Sequence, residues 1–98
     1  IITGTDEVVK QIIAEGGTAI IDFYAEWCGP CRTLGPVLDS IAQENPEIKV
    51  VKVNVDENSE LTAEFGVRSI PAVYIYKGGE KINQFVGMKG KEDIKSML

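Results

Sequence analysis

The residues Thr18 to Ala25 form a nearly continuous apolar run, rich in β-branched and aromatic side chains and too short to span a membrane. Such a run reads as a strand buried on both faces, so the chain must place other elements above and below it. Its 98 residues suffice for one domain built this way, residues 1–98. With 44% hydrophobic residues, the core needs no disulfide scaffold. One residue interrupts the run: Asp22, a carboxylate where no charge is comfortable.

The covering elements follow from the flanking patterns. Ile1-Ile2-Thr3 is the tail of an edge strand at most. After Thr5 or Asp6, either able to cap, Val8, Val9, Ile12 and Ile13 recur at helical spacing until Gly16-Gly17 stops them. Leu34, Val37, Leu38, Ile41 and Ala42 mark one face of a second helix ending near Asn45-Pro46. Pro30 falls in its first turn, where a missing N–H costs little. Pro36 lies inside it and is expected to bend the axis, because it lacks the donor for the carbonyl of Arg32.

Ile48 to Val55 is a second strand, with Val51, Val53 and Val55 on one face and Val50, Lys52 and Asn54 on the other. Strand, helix, strand implies parallel pairing through a right-handed crossover. Asn58 to Phe65, closed by Gly66, reads as a short helix. Ala72 to Tyr76 and Lys81 to Val86 flank Gly78-Gly79, a hairpin signal that makes these strands antiparallel. Ile94, Met97 and Leu98 give a last helix one apolar edge. The expected class is α/β, a mixed sheet covered by helices.

A formal charge of −5 with scattered basic residues speaks against a nucleic-acid or membrane-surface partner. Histidine is absent, which removes the commonest general base. The only cysteines, Cys28 and Cys31, stand two residues apart just after the apolar run. A thiol three positions from its partner can close a small disulfide ring and reopen it. Where a helix begins, unpaired N–H groups favour the thiolate, so Cys28 is expected to attack. Cys31, one turn further in, is expected to be more buried and to resolve. Gly29 leaves the sulfur uncrowded and Pro30 restrains the turn. The pair also admits blander readings. A structural staple over four residues is worth only ~2 kcal/mol, a zinc site lacks half of its ligands within one chain, and inert packing needs no Gly-Pro spacer. Redox spacing of this kind points to a reducing compartment. The chain begins at Ile rather than Met, which leaves a removed leader or a trimmed start open.

Asp22, six residues before Cys28, is expected to have a raised pKa and so to accept and return a proton; the alternative is a strand-end carboxylate bonded to backbone. Lys52 is similarly out of place in its strand. It either pairs with Asp22 or runs its stem out to water.

These residues together resemble the thioredoxin family. The run Ile21-Asp22-Phe23-Tyr24-Ala25-Glu26-Trp27-Cys28-Gly29-Pro30-Cys31 is similar to that family's active-site segment. Pro36, Lys52, Ile70-Pro71 and Gly87 match its helix proline, its lysine near the buried acid, the dipeptide before the hairpin and the glycine after it. The resemblance implies a thioredoxin fold, a central mixed four- to five-stranded sheet flanked by four helices, with Ile70-Pro71 in cis beside the cysteines. It also implies a substrate groove in which the Ile70 backbone pairs with an extended segment while Trp27, Gly29, Pro30, Val86, Gly87 and Met88 form an apolar rim. Ordinary core packing is the competing reading for Trp27, plain strand-end residues the one for Val86 and Met88, and a trans proline opening the strand the one for Pro71. Two departures stand out. The N-terminal strand is short, and Gly35 should weaken its helix by ~1 kcal/mol relative to Ala without touching the chemistry.

The function implied is general protein disulfide reduction, with Cys28 attacking, Cys31 resolving and Asp22, modulated by Lys52, moving a proton. Implied with it are no cofactor beyond the Cys28–Cys31 disulfide, disulfide-containing protein substrates, an NADPH- or ferredoxin-linked thioredoxin reductase as donor, a cytoplasmic location and a monomer. An oxidase or isomerase on the same fold is the nearest rival, disfavoured because the spacer carries no histidine. A binding module with incidental thiols is the rival of another kind.

Overall fold

A computed structural model describes residues 1–98. Five strands form one sheet in the order β1-β3-β2-β4-β5. They are β1 (Ile2–Thr3), β2 (Ala19–Tyr24), β3 (Lys49–Asn54), β4 (Ala72–Lys77) and β5 (Glu80–Val86), and they alternate with α1 (Asp6–Glu15), α2 (Gly29–Glu44), α3 (Ser59–Glu64) and α4 (Lys91–Ser96). The apolar run becomes β2 at the centre, parallel to β3 from Ala19↔Lys49 to Tyr24↔Asn54 and antiparallel to β4 from Ala19↔Tyr76 to Phe23↔Ala72.

Alternation along β2 divides the core into two layers. Ile21 and Phe23 meet Val51 and Val53, together with Val9 and Ile12 of α1 and Leu61 of α3. Ile20 and Val50 meet Leu34, Leu38 and Ile41 of α2 and Ile94 of α4. On the first side, Phe23, Phe65 and Tyr74 pack with ring centroids 5.0–5.7 Å apart, a spacing at which tilted and edge contacts are favourable.

Local signals act where the residues place them. Thr5 caps α1 by accepting from the Val8 N–H at 3.3 Å, and Gly16 ends the helix at φ 81°. Gly78 and Gly79 both take positive φ, 65° and 82°, which a two-residue hairpin of this twist requires. Pro36 sits within one continuous helix of 16 residues. The pairing of β4 with β5 shifts register between Ile75 and Tyr76, so that Ile75 faces Asn83 and Tyr76 faces Lys81. Nothing in the alternation of these strands signals that shift. The last helix stops at Ser96, one residue before Met97, although Met97 and Leu98 still pack on the α2 side.

The short N-terminal strand is nonetheless paired. Ile2 and Thr3 run parallel to Val51 and Lys52, and the Gly4 N–H donates to the Lys52 carbonyl at 2.8 Å. A Cβ on Gly4 would stand 2.6 Å and 2.7 Å from methyls of Val53 and Val51, so this approach requires glycine. Gly4→Ala is expected to cost about 1–3 kcal/mol through overpacking, although it also removes freedom from the unfolded chain. Urea unfolding is the measurement, and a variant as stable as the parent would contradict the close approach.

Candidate active site

The C-terminal end of β2 leads through Ala25-Glu26-Trp27 into α2, and the cysteines lie at that junction. Cys28 is the N-cap, with φ −90° and ψ 111°, and its Sγ accepts from the Cys31 N–H at 3.3 Å. Pro30 occupies the first turn. Cys28 and Cys31 are joined as a disulfide with a Cα–Cα distance of 5.3 Å, inside the range such a bond needs. With Ala25 they form a small apolar cluster bordered by Tyr24, Val55 and Ile70.

One expectation needs correction. Cys31 is not appreciably more buried than Cys28, since they are 4% and 5% exposed. The N-terminal turn of the helix folds the Cys28 sulfur back over the Cys31 amide, so both share one cover. Their difference is positional: the sulfur at the helix end receives a backbone donor.

Two side-chain contacts that sequence reasoning missed brace the junction. The Arg32 guanidinium donates through Nε at 3.0 Å and Nη2 at 2.7 Å to the Glu26 carbonyl, tying the loop to the helix's first turn. The Trp27 Nε1–H donates to Asp56 Oδ2 at 2.9 Å, while Asn54 Oδ1 accepts from the Asp56 N–H at 2.9 Å. An arginine one residue after the second cysteine and an Asn-x-Asp step at the end of β3 are the signals that were available. Trp27 is 67% exposed, which rules out ordinary core packing for it.

The distant segments converge on the same end of the sheet. Ile70-Pro71 is cis, and Ile70 packs against the cysteine cluster. The Gly87 N–H donates to the Pro71 carbonyl at 2.8 Å, and Gly87 adopts φ 93°. Val86 and Met88 beside it are 59% and 44% exposed. Gly29 and Pro30 are exposed as well.

Asp22 is fully buried, and neither carboxylate oxygen has a hydrogen-bond partner within the protein. It shares the β2 face of Ile20, which packs against α2, and so lies beneath the helix that starts at Cys28. Burial raises its pKa from 3.8 to about 6; Lys52 opposes the rise and Asp39 adds to it. Strand-end bonding to backbone is thereby excluded. Lys52 stands directly opposite in the β2–β3 register, is half-buried, and forms no ion pair with Asp22. Its ammonium lies 5.1 Å from the Tyr24 ring centroid, and 3.0 Å from where a Cβ of Gly35 would stand. Gly35 therefore does touch the polar centre, contrary to expectation, because the missing Cβ admits the lysine. No cluster of three or more His, Cys, Asp or Glu side chains could hold a metal ion, and no helix is long and apolar enough to cross a membrane.

The Thioredoxin family model matches residues 1–98. Thioredoxin 1 of Nostoc sp. is 45% identical over 96 residues, spanning 96% of this chain and 90% of that protein. Thioredoxin of Alicyclobacillus acidocaldarius is 41% identical over 97 residues, spanning 98% and 92%. Among solved structures, the oxidised form of mitochondrial thioredoxin 3 from Saccharomyces cerevisiae matches with TM-score 0.88 and 30% identity, over 99% of this chain and 92% of that one.

Because folded Asp22 holds its proton more tightly than the unfolded chain does, ionising it destabilises the fold. Stability contributed by the neutral acid is lost as pH rises from 3.8 to about 6. The full loss is about 3 kcal/mol. Asp22→Asn should therefore gain on the oxidised parent by up to that amount between about pH 3.5 and pH 7.5, as read by urea unfolding. A stability gap that does not change with pH contradicts the shift.

Proposed function

Since the chain belongs to the thioredoxin family, whose members are thiol-disulfide oxidoreductases, we propose that Cys28 and Cys31 share the work of protein disulfide reduction unequally, with Asp22 as their proton carrier. The chain is a protein disulfide reductase that acts through Cys28-Gly29-Pro30-Cys31. The observation that carries the division of labour is the placement of Cys28 Sγ at the N-cap of α2, accepting the Cys31 N–H.

In the dithiol state, the Cys28 thiolate attacks one sulfur of a substrate disulfide. A Cys28–substrate mixed disulfide forms, and the other substrate sulfur leaves as a thiolate that takes up a proton. Cys31 gives its proton to Asp22 by way of a water and attacks Cys28 Sγ, which forms the Cys28–Cys31 disulfide and expels the second substrate thiolate, to which Asp22 returns the proton. The substrate gains two electrons and two protons: the dithiol supplies both electrons and, by way of Asp22, the Cys31 proton, and solvent, which took up the Cys28 proton when its thiolate formed, supplies the other. An acid with pKa about 6 is mostly ionised at neutral pH and so can receive the Cys31 proton there.

Substrate recognition rests on the Ile70 backbone beside the disulfide and on the rim of Trp27, Gly29, Pro30, Val86, Gly87 and Met88. An extended segment pairing with main chain in this groove accounts for breadth of substrate, since such pairing reads little side-chain identity. Thioredoxins generally work with a thioredoxin reductase. The electron donor here is read as such an enzyme, NADPH- or ferredoxin-linked, that reopens the Cys28–Cys31 disulfide without a bound cofactor or metal on this chain. A cytoplasmic monomer is the setting that fits the reducing chemistry.

The test is reduction of insulin disulfides by dithiothreitol. The wild-type chain accelerates precipitation, and Cys28→Ser falls to the uncatalysed rate; a Cys28→Ser variant as active as wild type overturns the assignment of the nucleophile. For the proton step, Asp22→Asn should slow release from the mixed disulfide by up to about 100-fold at neutral pH, the lower end of what a positioned base contributes. Unchanged single-turnover kinetics reject that role.

A further inference from the structure

Three charged groups meet in the layer between the sheet and α2 without touching. Asp22 rises from β2 and has no partner. Lys52 is level with it on β3 and forms no ion pair. Asp39, on α2, has its Oδ1 buried and likewise unpartnered. Asp39 follows Gly35 by four residues and therefore lies on the same helix face, one turn along. The Lys52 ammonium sits against Gly35, 3.0 Å from the point a Cβ would occupy. The lysine thus extends from the sheet towards the helix, into a slot that only glycine leaves open, and that slot is next to Asp39.

This position is not the one expected of a lysine opposite a buried acid. Two carboxylates, Asp22 and Asp39, share one cation, and its ammonium lies against Gly35 of α2 and 5.1 Å from the Tyr24 ring centroid while still acting on Asp22. Were it turned back to Asp22, it would form a buried ion pair there, and the carboxylate so held could no longer take up a proton near neutral pH. We propose that Asp39 is a positioning residue for the reductase reaction: it draws the Lys52 ammonium towards Gly35 on α2 and so leaves Asp22 free to accept the Cys31 proton.

The proposal deepens the reading of Asp22 as proton carrier and rests on it for its meaning in catalysis. The titratable and charged groups acting on Asp22 are Lys52 from β3 and Asp39 from α2, with Tyr24 two residues along β2; the cysteine pair stands at the start of α2 in its own apolar cluster. From β4 it faces Val73, which carries no charge. In the disulfide form neither cysteine titrates, so the oxidised protein gives an Asp22 titration free of thiol coupling.

The experiment follows the Asp22 carboxyl carbon by NMR through a pH titration of the oxidised protein in wild type, Asp39→Asn, Asp39→Glu, Lys52→Met and the Asp39→Asn/Lys52→Met double variant. Asp39→Asn should lower the Asp22 midpoint by about half a unit or more, as the ammonium turns to Asp22. Asp39→Glu should keep it near the wild-type value. With Lys52→Met in place, the Asp39→Asn shift should shrink to less than half. Gly35→Ala, which fills the slot and pushes the ammonium off the helix, should lower the midpoint in the same direction by an independent route.

An unmoved midpoint in Asp39→Asn overturns the proposal. So does a shift of equal size with and without Lys52, because Asp39 would then act on Asp22 across space and not by holding the lysine. The midpoints do not depend on what Asp22 does in turnover. If they move as expected while Asp22→Asn resolves the mixed disulfide at the wild-type rate, the proton-carrier reading fails and the three-group arrangement stands by itself. If resolution slows but the midpoints stay fixed, the reverse holds.

Discussion

The constraint on which the structure depends is the burial of β2 on both faces. With β3 on one side, β4 on the other and helices above and below, β2 is buried from Ala19 to Phe23, and only Tyr24 at its end is partly exposed. Every polar group on it must be answered from inside the protein. Its backbone is answered by the two neighbouring ladders. Its one charged side chain, Asp22, is answered only at a distance, and the positions of Lys52, Gly35 and Asp39 gain their significance from that one unpaired carboxylate.

The two cysteines owe their inequality to the same strand. Because β2 ends at Tyr24 and the chain turns at once into α2, the first cysteine falls at the helix cap and the second one turn inside. Exposure does not separate them. What separates them is that the sulfur at the cap is offered a backbone N–H, that of Cys31 one turn further in. The Arg32 bond to the Glu26 carbonyl and the Trp27 bond to Asp56 then fix the loop on either side of the cap.

Much of this was legible in the sequence, for reasons that differ by element. The period of Val8, Val9, Ile12 and Ile13, the alternation of Val51, Val53 and Val55, and the Gly78-Gly79 step are local, and local chemistry carries them without help from the rest of the chain. The cis peptide at Ile70-Pro71 and the convergence of Gly87 on Pro71 came only with family resemblance, since no local rule brings residues so far from the cysteines to their side. What escaped were facts of close approach. Gly4 pressing on Val51 and Val53, Gly35 giving way to Lys52, and the register shift at Ile75 and Tyr76 each depend on which elements become neighbours. A glycine in a sequence announces flexibility far more readily than it announces a neighbour.

The sheet has two ends with different fates. At one, the C-terminal edges of β2 and β3 and the start of β4 gather the cysteines, Ile70, Pro71 and Gly87. At the other, the Gly16-Gly17 and Gly78-Gly79 turns are joined by the Gly78 N–H to the Gly16 carbonyl at 2.8 Å, and the Lys49 N–H reaches the Thr18 carbonyl at 3.0 Å. Six-residue strands separate the ends by about 20 Å. The molecule is therefore a one-ended tool. A tag, a linker or a second polypeptide fastened at the glycine turns works as a handle, leaving the sulfur-bearing edge pointed away from whatever holds it.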